Sequence, residues 1–236
     1  KNGVDHTAVE GIADMSYDIP NQYTDYVMKN THVPVGFWRS VGHSQNAFFL
    51  ESFIDEIAHS SGRNPYHLRR ALLSKKPRFL KVLDTLAKES NWEKPVPKNR
   101  YRGMAIHQSF GSIVGEVAEI SVNSAGEFTV HRVVCVVDCG IAVNPNIIAT
   151  QMESAIVYGL SALTETITLK NGQVVQSNFH NFPVLKMADM PQVDVHIIPN
   201  EVKPGGIGEP ATPPIAPAVT NAIFAATGKR IRNLPI

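Results

Sequence analysis

The stretch from 203 to 217 contains residue types that suit general-base chemistry. It reads KPGGIGEPATPPIAP and holds a single carboxylate, Glu209, between Gly208 and Pro210. Glycines let a backbone approach a ligand closely, and prolines stiffen a loop and remove donors that would otherwise hydrogen-bond the acid. The nearest basic residue along the chain is Lys203. An acid held in this way is suited to abstracting a proton near neutral pH.

Two other interpretations of this loop have to be weighed against that one. Loops rich in Gly and Pro are usually plain turns, and on residue types alone an exposed Glu209 in a turn is the favoured interpretation. GGIG also matches part of a dinucleotide-binding fingerprint, but the third glycine is missing, and Pro210, Pro213 and Pro214 stand where its helix should begin. The chain has no Walker A loop, no GxSxG elbow and no HExxH pair, so those catalytic classes have no support.

Composition is that of a globular chain without a charge excess. The 236 residues are 43% hydrophobic and 18% charged, with a formal net charge of +1. That balance argues against a nucleic-acid-binding protein, which would carry basic patches. No apolar run reaches the roughly 18 residues of a membrane span. The chain begins at Lys1, without an initiator Met or the layout of a signal peptide, so we expect a part of a larger product.

Apolar periodicity predicts an α+β chain in which antiparallel hairpins pack with helices. Residues 1–35 look extended. Helices are expected over 45–61, 65–73, 77–90, 144–165 and 217–228. Hairpins are expected over 115–140 and 166–180, with one more strand over 192–199.

Local signals support these elements and divide the chain. Asn-Pro pairs at 64–65 and 144–145 predict an N-cap followed by Pro at the first helical position, and Asn-Gly at 171–172 predicts a tight hairpin turn. A Pro- and charge-rich linker separates a region of extended chain and helices, 1–98, from a region of hairpins and helices with the Glu209 loop, 99–236.

Neither the cysteines nor the histidines predict a metal site. Cys135 and Cys139 cannot form a disulfide framework and lack the usual spacing of a zinc pair, so we interpret them as small apolar strand residues. The nine histidines show no ligand spacing. Those interpreted as surface or satisfied core residues are His6, His59, His67 and His180.

Four stretches of the chain together resemble the molybdenum-binding subunit of the xanthine oxidase family. In chain order they are PVGFWRSVGHSQNAFFLESFIDEIA, HQSFGSIVGEVAEISV, VVDCGIAVNPNIIATQMESAIVYGLSA and GGIGEPATPPIAPAVTNAIFAATGKRIRNLP. The resemblance covers nearly the whole chain and points to the C-terminal part of that subunit. It is strongest to the branch that oxidises isoquinoline, aldehydes and nicotinate, and it is less specific for the substrate than for the family.

This resemblance implies a cofactor and a reaction. Family members carry molybdenum in molybdopterin cytosine dinucleotide and hydroxylate an N-heteroaromatic ring or an aldehyde with oxygen drawn from water. The family's Gly-x-Gly-Glu-Pro motif falls on Gly206, Gly208, Glu209 and Pro210. It makes Glu209 the general base and Gly208 a neighbour of the cofactor. The loop is expected to hold this base without a competing cation.

Two more motifs of the family place residues at the cofactor. The resemblance implies that Gln151, in QMESAIVYG, hydrogen-bonds the pterin, although Ser154 stands where Gly is usual. Arg39 and Gly42 match the Arg-x-(Phe/Val)-Gly turn beside the metal site. The aromatic pair 37–38 before Arg39 suggests a half-buried, stacked guanidinium. Plain surface positions are the alternatives for Gln151 and Arg39. Residues expected near the pocket are His107, Ser109 and Phe110.

The family's other cofactor elements are not in this sequence. Full-length subunits have a GGFG-type loop and a GQG element upstream, so we expect a fragment or one piece of a split subunit, whose partner is the remainder of the molybdopterin-binding subunit. Two cysteines cannot ligate two [2Fe–2S] clusters, which must then lie on an iron–sulfur partner chain. Some of the apolar surface of the helices at 144–165 and 213–228 should pack on the missing part. The alternative function is a non-catalytic scaffold that supports a partner molybdoenzyme chain.

Overall fold

The computed structural model describes residues 3–236, which form a four-stranded sheet with helices on both faces. The helices are α1 (His6–Val9), α2 (Gly42–Ser60), α3 (Pro65–Leu72), α4 (Pro77–Glu89), α5 (Pro145–Thr164) and α6 (Thr212–Thr227). The strands are β1 (Tyr101–Ser109), β2 (Ser112–Val122), β3 (Phe128–Asp138), β4 (Leu169–Lys170), β5 (Gln173–Val174) and β6 (Gln192–Ile197).

The main sheet has the order β1-β2-β3-β6, in which the first three strands form an antiparallel meander. This confirms the predicted α+β class with antiparallel hairpins. Strand β6 adds to the edge of β3 in parallel, with Val133 opposite Val193, a pairing that the sequence did not predict. The predicted hairpin at 166–180 is a two-residue ladder, β4–β5, around the Asn171–Gly172 turn.

One face of the sheet is covered by α5 and α6, which share a core with Val114, Ala118 and Val133. Helix α6 lies so close to β1 that a Cβ on Gly103 would come within 2.2 Å of the Ala218 carbonyl oxygen. Most of α6 up to Ile223 is therefore buried inside this chain. The apolar surface of α6 up to Ile223 is thus covered within this chain, whereas α5 leaves Ile147 and Tyr158 exposed, and packing of some of the helical surface on a missing part stays a prediction.

The other face carries α2, α3 and α4 over a core that includes Leu83, Met104 and Val134. A charged group lies inside this layer. Glu51 of α2 is fully buried and accepts hydrogen bonds from Arg69 Nε at 2.9 Å and from the Ile106 amide at 3.0 Å. It thereby joins α2 to α3 and to β1.

The local signals for element ends are confirmed. Asn64 and Asn144 cap α3 and α5 through their side-chain oxygens, each before a Pro at the start of the helix. Helix α6 ends at Gly228 in the left-handed conformation, as predicted, but begins at Thr212 rather than 217. Strand β1 was not predicted as an element. The predicted region boundary at 98/99 falls just before β1 and stays a prediction.

The N-terminal segment differs from the extended chain that the sequence suggests. Among the described residues it forms the short helix α1, capped by Asp5, and then turns. From 21 to 38 the chain has no helix or strand and leaves large apolar side chains in solvent, such as Tyr23 and Phe37, which are 88% and 82% exposed. None of the helices within residues 3–236 is long and apolar enough to cross a membrane.

Candidate functional site

The Glu209 loop is docked onto the turn between β1 and β2. The Gly206 amide donates to the Phe110 carbonyl at 2.7 Å, and Ser112 Oγ donates to the Gly206 carbonyl at the same distance. A Cβ on Gly205 would come within 2.6 Å of Ser112 Oγ. The first glycines of the loop are therefore needed for packing against the protein's own backbone. Gly208, by contrast, is exposed and has open space around it, since a Cβ there would meet only Gln151 Oε1, at 3.9 Å.

Glu209 itself lies at the N-terminal end of α2. Its Oε1 accepts a hydrogen bond from the Ser40 amide at 2.9 Å, and Ser40 Oγ donates to the Glu209 carbonyl at 2.8 Å. The other carboxylate oxygen, Oε2, accepts no hydrogen bond from the part of the chain described here. The arrangement holds one carboxylate oxygen in place and leaves the other without a partner among the described residues.

The turn that holds Glu209 has an unusual backbone. Ser40 and Val41 have positive φ angles of 77° and 50°, a region that L-residues other than Gly, Asn and Asp rarely adopt. Such positions cost on the order of 1–3 kcal/mol each and persist only where the surroundings enforce them. Hydrogen bonds from Val41 N to Trp38 O and from His43 N to Ser40 O, at 2.8 and 3.0 Å, close the turn.

Arg39 connects this turn to the loop and to α5. Its Nε donates to the Gly208 carbonyl at 2.9 Å, and its Nη2 donates to the same oxygen. Nη1 donates to Ser154 Oγ at 3.2 Å, and Nη2 also donates to Gln151 Oε1 at 3.3 Å. The structure therefore brings together four residues that the sequence assigned to the site: Glu209, Gly208, Arg39 and Gln151.

The half-buried, stacked guanidinium predicted for Arg39 is present, although on a ring that was not predicted, and the prediction that Glu209 has no neighbouring cation is wrong. The guanidinium stacks over the ring of Tyr158, 5.6 Å from its centroid, while Trp38 packs on the same ring at 4.9 Å instead of on Arg39. The base also does not lack a cation, because Arg39 binds the carbonyl directly before Glu209. Burial lowers the pKa of Arg39, and the negative charge of Glu209 partly opposes that effect.

Gln151 is half-exposed on the outer side of α5, in line with Ser154 and Tyr158. Its Oε1 accepts from Arg39, which fixes the side-chain amide so that the NH2 group is the free end. A Cβ on Gly208 would be 3.9 Å from Oε1, so the two residues border the same open surface. An amide donor beside an exposed glycine is the type of surface that a planar ligand rich in acceptors can approach.

Gly42 is buried at the first position of α2. A Cβ there would lie only 1.8 Å from the Thr7 carbonyl oxygen, so glycine is required by the contact between α1 and α2. The structure thus gives Gly42 a packing role within the chain. Its contact with a cofactor stays a prediction.

A pair of histidines that no sequence motif predicted lies behind the turn. His43 Nδ1 and His107 Nε2 are 3.0 Å apart, although 64 positions separate them. Burial lowers the pKa of His107 to about 3, helped by His43, and burial also lowers the pKa of His43. Both rings are therefore neutral near pH 7 and share one hydrogen bond. A Cβ on Gly11 would come within 2.7 Å of both rings.

Near this pair, the three residues expected at the pocket line a small cavity. His107, Ser109 and Phe110 line a space of about 220 Å³. Ser109 Oγ is buried without a hydrogen-bond partner in residues 3–236. Phe110 also packs edge-on against His43, with ring centroids 5.4 Å apart, and touches the Glu209 loop through Gly206. The cavity therefore adjoins the loop.

Two family profiles match the chain, over residues 2–73 and 73–191, and each is described as a molybdopterin cofactor-binding domain. Isoquinoline 1-oxidoreductase subunit beta of Brevundimonas diminuta is 34% identical over 228 residues, covering 94% of this chain and 29% of the relative. The membrane-bound aldehyde dehydrogenase (pyrroloquinoline-quinone) of Gluconacetobacter polyoxogenes is 33% identical over 222 residues, covering 85% of this chain and 29% of the relative.

A solved structure shares the fold. Quinoline 2-oxidoreductase from Pseudomonas putida 86 superposes with a TM-score of 0.71 at 12% identity, over 83% of this chain and 50% of that one. At this identity the likeness concerns the fold. The chain spans about three tenths of the length of the two sequence relatives. The family that the four sequence motifs resemble is confirmed.

Proposed function

The chain belongs to the molybdopterin cofactor-binding domain family, and we propose that it forms the base-bearing part of a molybdenum hydroxylase. The observation that carries this proposal is the way in which the Glu209 side chain is held. One carboxylate oxygen accepts a hydrogen bond from the Ser40 amide just before α2, while the other has no hydrogen-bond partner among the described residues, and Glu209 is only half-buried. A base with a fixed side chain and a free oxygen is ready to accept a proton.

The residues around Glu209 fit a bulky planar cofactor. Gly208 leaves the approach free of a side chain, and the free amide NH2 of Gln151 can donate to acceptors on a pterin. Arg39 and Gly42 form the neighbouring turn. When bound, the molybdenum cofactor, proposed to be molybdopterin cytosine dinucleotide, supplies the two-electron oxidation and the water-derived oxygen. Glu209 takes up the proton released as that oxygen is transferred.

We propose that the substrate is an N-heteroaromatic ring or an aldehyde. The names of relatives that match most of the chain, an isoquinoline oxidoreductase and an aldehyde dehydrogenase, support both classes. The second relative is named for pyrroloquinoline quinone, whereas the family profiles are named for molybdopterin. The molybdenum assignment rests on those profiles and on the Glu209 site.

The proposed partners follow from what this chain exposes and contains. The apolar side chains of the segment 21–38 stand in solvent and suit contact with the remainder of the molybdopterin-binding subunit. Cys135 and Cys139 are both buried and are the only two cysteines of the sequence, so the [2Fe–2S] clusters are assigned to an iron–sulfur partner.

The experiment is the Glu209→Gln substitution in the assembled protein. Glutamine keeps the shape and can still accept from the Ser40 amide, but it cannot take up a proton. Turnover should fall by at least about 10²-fold, the usual loss when a general base is removed, with the molybdenum content unchanged. Glu201→Gln, at an exposed acid of the neighbouring turn, is the control. Near-normal turnover in a molybdenum-replete Glu209→Gln protein would refute the role.

A further inference from the structure

Arg39 is engaged with the protein through nearly all of its donors. Nε and Nη2 bind the Gly208 carbonyl, Nη1 binds Ser154, and Nη2 also reaches Gln151. The partners lie 112 to 169 positions away along the chain. A guanidinium used in this way has little left for a ligand, so its effect on the site passes through the groups that it holds.

The Gly208 carbonyl is the group that matters most for the base. It belongs to the peptide bond that leads into Glu209, and a planar peptide fixes the direction in which the next residue continues. The neighbouring Ser40 holds the Glu209 carbonyl and Oε1. Two consecutive residues, Arg39 and Ser40, therefore hold three oxygens of the dipeptide Gly208-Glu209.

Helix α5 in turn fixes Arg39. Gln151, Ser154 and Tyr158 are spaced three and four residues apart, so they follow one side of the helix. The first two accept hydrogen bonds from the guanidinium, and the third lies under its plane at 5.6 Å. The orientation of the arginine is thus determined on one side by α5 and on the other by the loop.

From this geometry we propose that Arg39 is a positioning residue, which aims Glu209 and orients the Gln151 amide by coupling the Glu209 loop to α5. The proposal rests on the assignment of Glu209 as the base. Arginine is required because its planar fork donates in fixed directions to several acceptors, whereas lysine offers one point charge on a flexible stem. Ser154 takes part as well, because its hydroxyl oxygen accepts a hydrogen bond from Arg39 Nη1.

Arg39→Lys and Ser154→Gly test the proposal in the assembled protein. Arg39→Lys should lower kcat by about 10–100-fold, as expected for a base misplaced by an ångström, and leave KM nearly unchanged. Ser154→Gly should give a smaller loss of the same kind. Arg70→Lys is the matched control, because Arg70 forms a comparable fork with Asp84 on an exposed surface.

A second readout does not need turnover. Amide hydrogen exchange should become at least about tenfold faster at Ser40 and Thr212, the amides that hold Glu209. Residues 82–87 in α4 should keep wild-type exchange, since a general loss of stability would affect them too. Faster exchange confined to the loop supports positioning, even if Glu209 proves not to be the base.

Two results would overturn the proposal. One is wild-type kcat and wild-type exchange at Ser40 and Thr212 in Arg39→Lys. The other is faster exchange that extends equally to α4, which would make Arg39 a general structural residue. The proposed function fails separately, through normal turnover in Glu209→Gln.

Discussion

Glu116 should make the protein less stable as the pH rises above 4.5. The residue lies in the middle of β2, opposite Ala105 and Cys135, and is fully buried. Neither carboxylate oxygen has a hydrogen-bond partner among the described residues. Burial therefore raises the pKa of Glu116 well above its ordinary value of 4.5. In the unfolded chain the same group ionises near that ordinary value.

The sign and size of the effect follow from this difference. Above pH 4.5 the folded state keeps a proton that the unfolded state loses, so the free energy of unfolding falls with rising pH. The fall is about 1.4 kcal/mol for each pH unit. It continues until the pH reaches the raised pKa of the folded state. The stabilising contribution is fully present only below pH 4.5.

Glu116→Gln isolates this contribution, because glutamine keeps the shape and the unpaired polar group but does not titrate. Glu116→Met also removes the unpaired polar group, whose burial costs about 1–3 kcal/mol. The free energy of opening of β2 is measured by amide hydrogen exchange, corrected for the intrinsic rate at each pH. Glu201→Gln, on the surface, is the control.

Wild type should lose stability relative to Glu116→Gln between pH 5 and pH 6, by about 1.4 kcal/mol. The Met variant should be the most stable of the three proteins at pH 7. Parallel pH profiles for wild type and Glu116→Gln would contradict this prediction, since the carboxyl would then be ionised in the folded state or paired by another group.

Three further predictions concern the site and the core. Gln151→Leu should lower the molybdopterin content of the assembled protein, measured by fluorescence of the oxidised pterin, because it removes the free amide donor; unchanged occupancy would count against this contact. Arg69→Met should cost about 3–5 kcal/mol of unfolding free energy, because it leaves Glu51 buried without its cation. Arg70→Met breaks an exposed ion pair and should cost at most about 1 kcal/mol. Equal losses of the two variants in chemical denaturation would contradict this difference. The chain expressed alone should be inactive and free of cofactor. It should also be oligomeric or poorly soluble in gel filtration, because residues 21–38 expose apolar side chains. A stable monomer with bound molybdopterin would contradict this prediction.

The predicted elements depend on local signals, and these were sufficient where the interactions are local. Asn-Pro pairs located the starts of α3 and α5, and two extended runs joined by the turn at 123–126 located β2 and β3. Strand β1 was missed because its pattern, YRGMAIHQS, has no clean alternation: it is buried from Gly103 to His107 between two helical layers. The parallel pairing of β6 is non-local, and nothing in its own residues specifies it.

The candidate site, too, could be predicted only in part from the sequence. The motif around Glu209 was readable from the sequence, as were Gln151 and Arg39. The side chains that these residues contact could not be predicted from the sequence. Tyr158 as the stacking ring depends on how α5 crosses the turn at Arg39. The neighbouring His43–His107 pair depends on the packing of α2 against β1, which joins residues 64 positions apart.

The most direct test of the account is the metal and pterin content of the assembled protein, purified with all its subunits. Elemental analysis measures molybdenum, and chromatography after mild hydrolysis measures the nucleotide released from the cofactor. A base-bearing molybdopterin site predicts molybdenum and pterin equimolar with this chain, together with a cytosine nucleotide. Absence of both molybdenum and pterin from an intact assembly would contradict the proposed function and leave the chain as a scaffold.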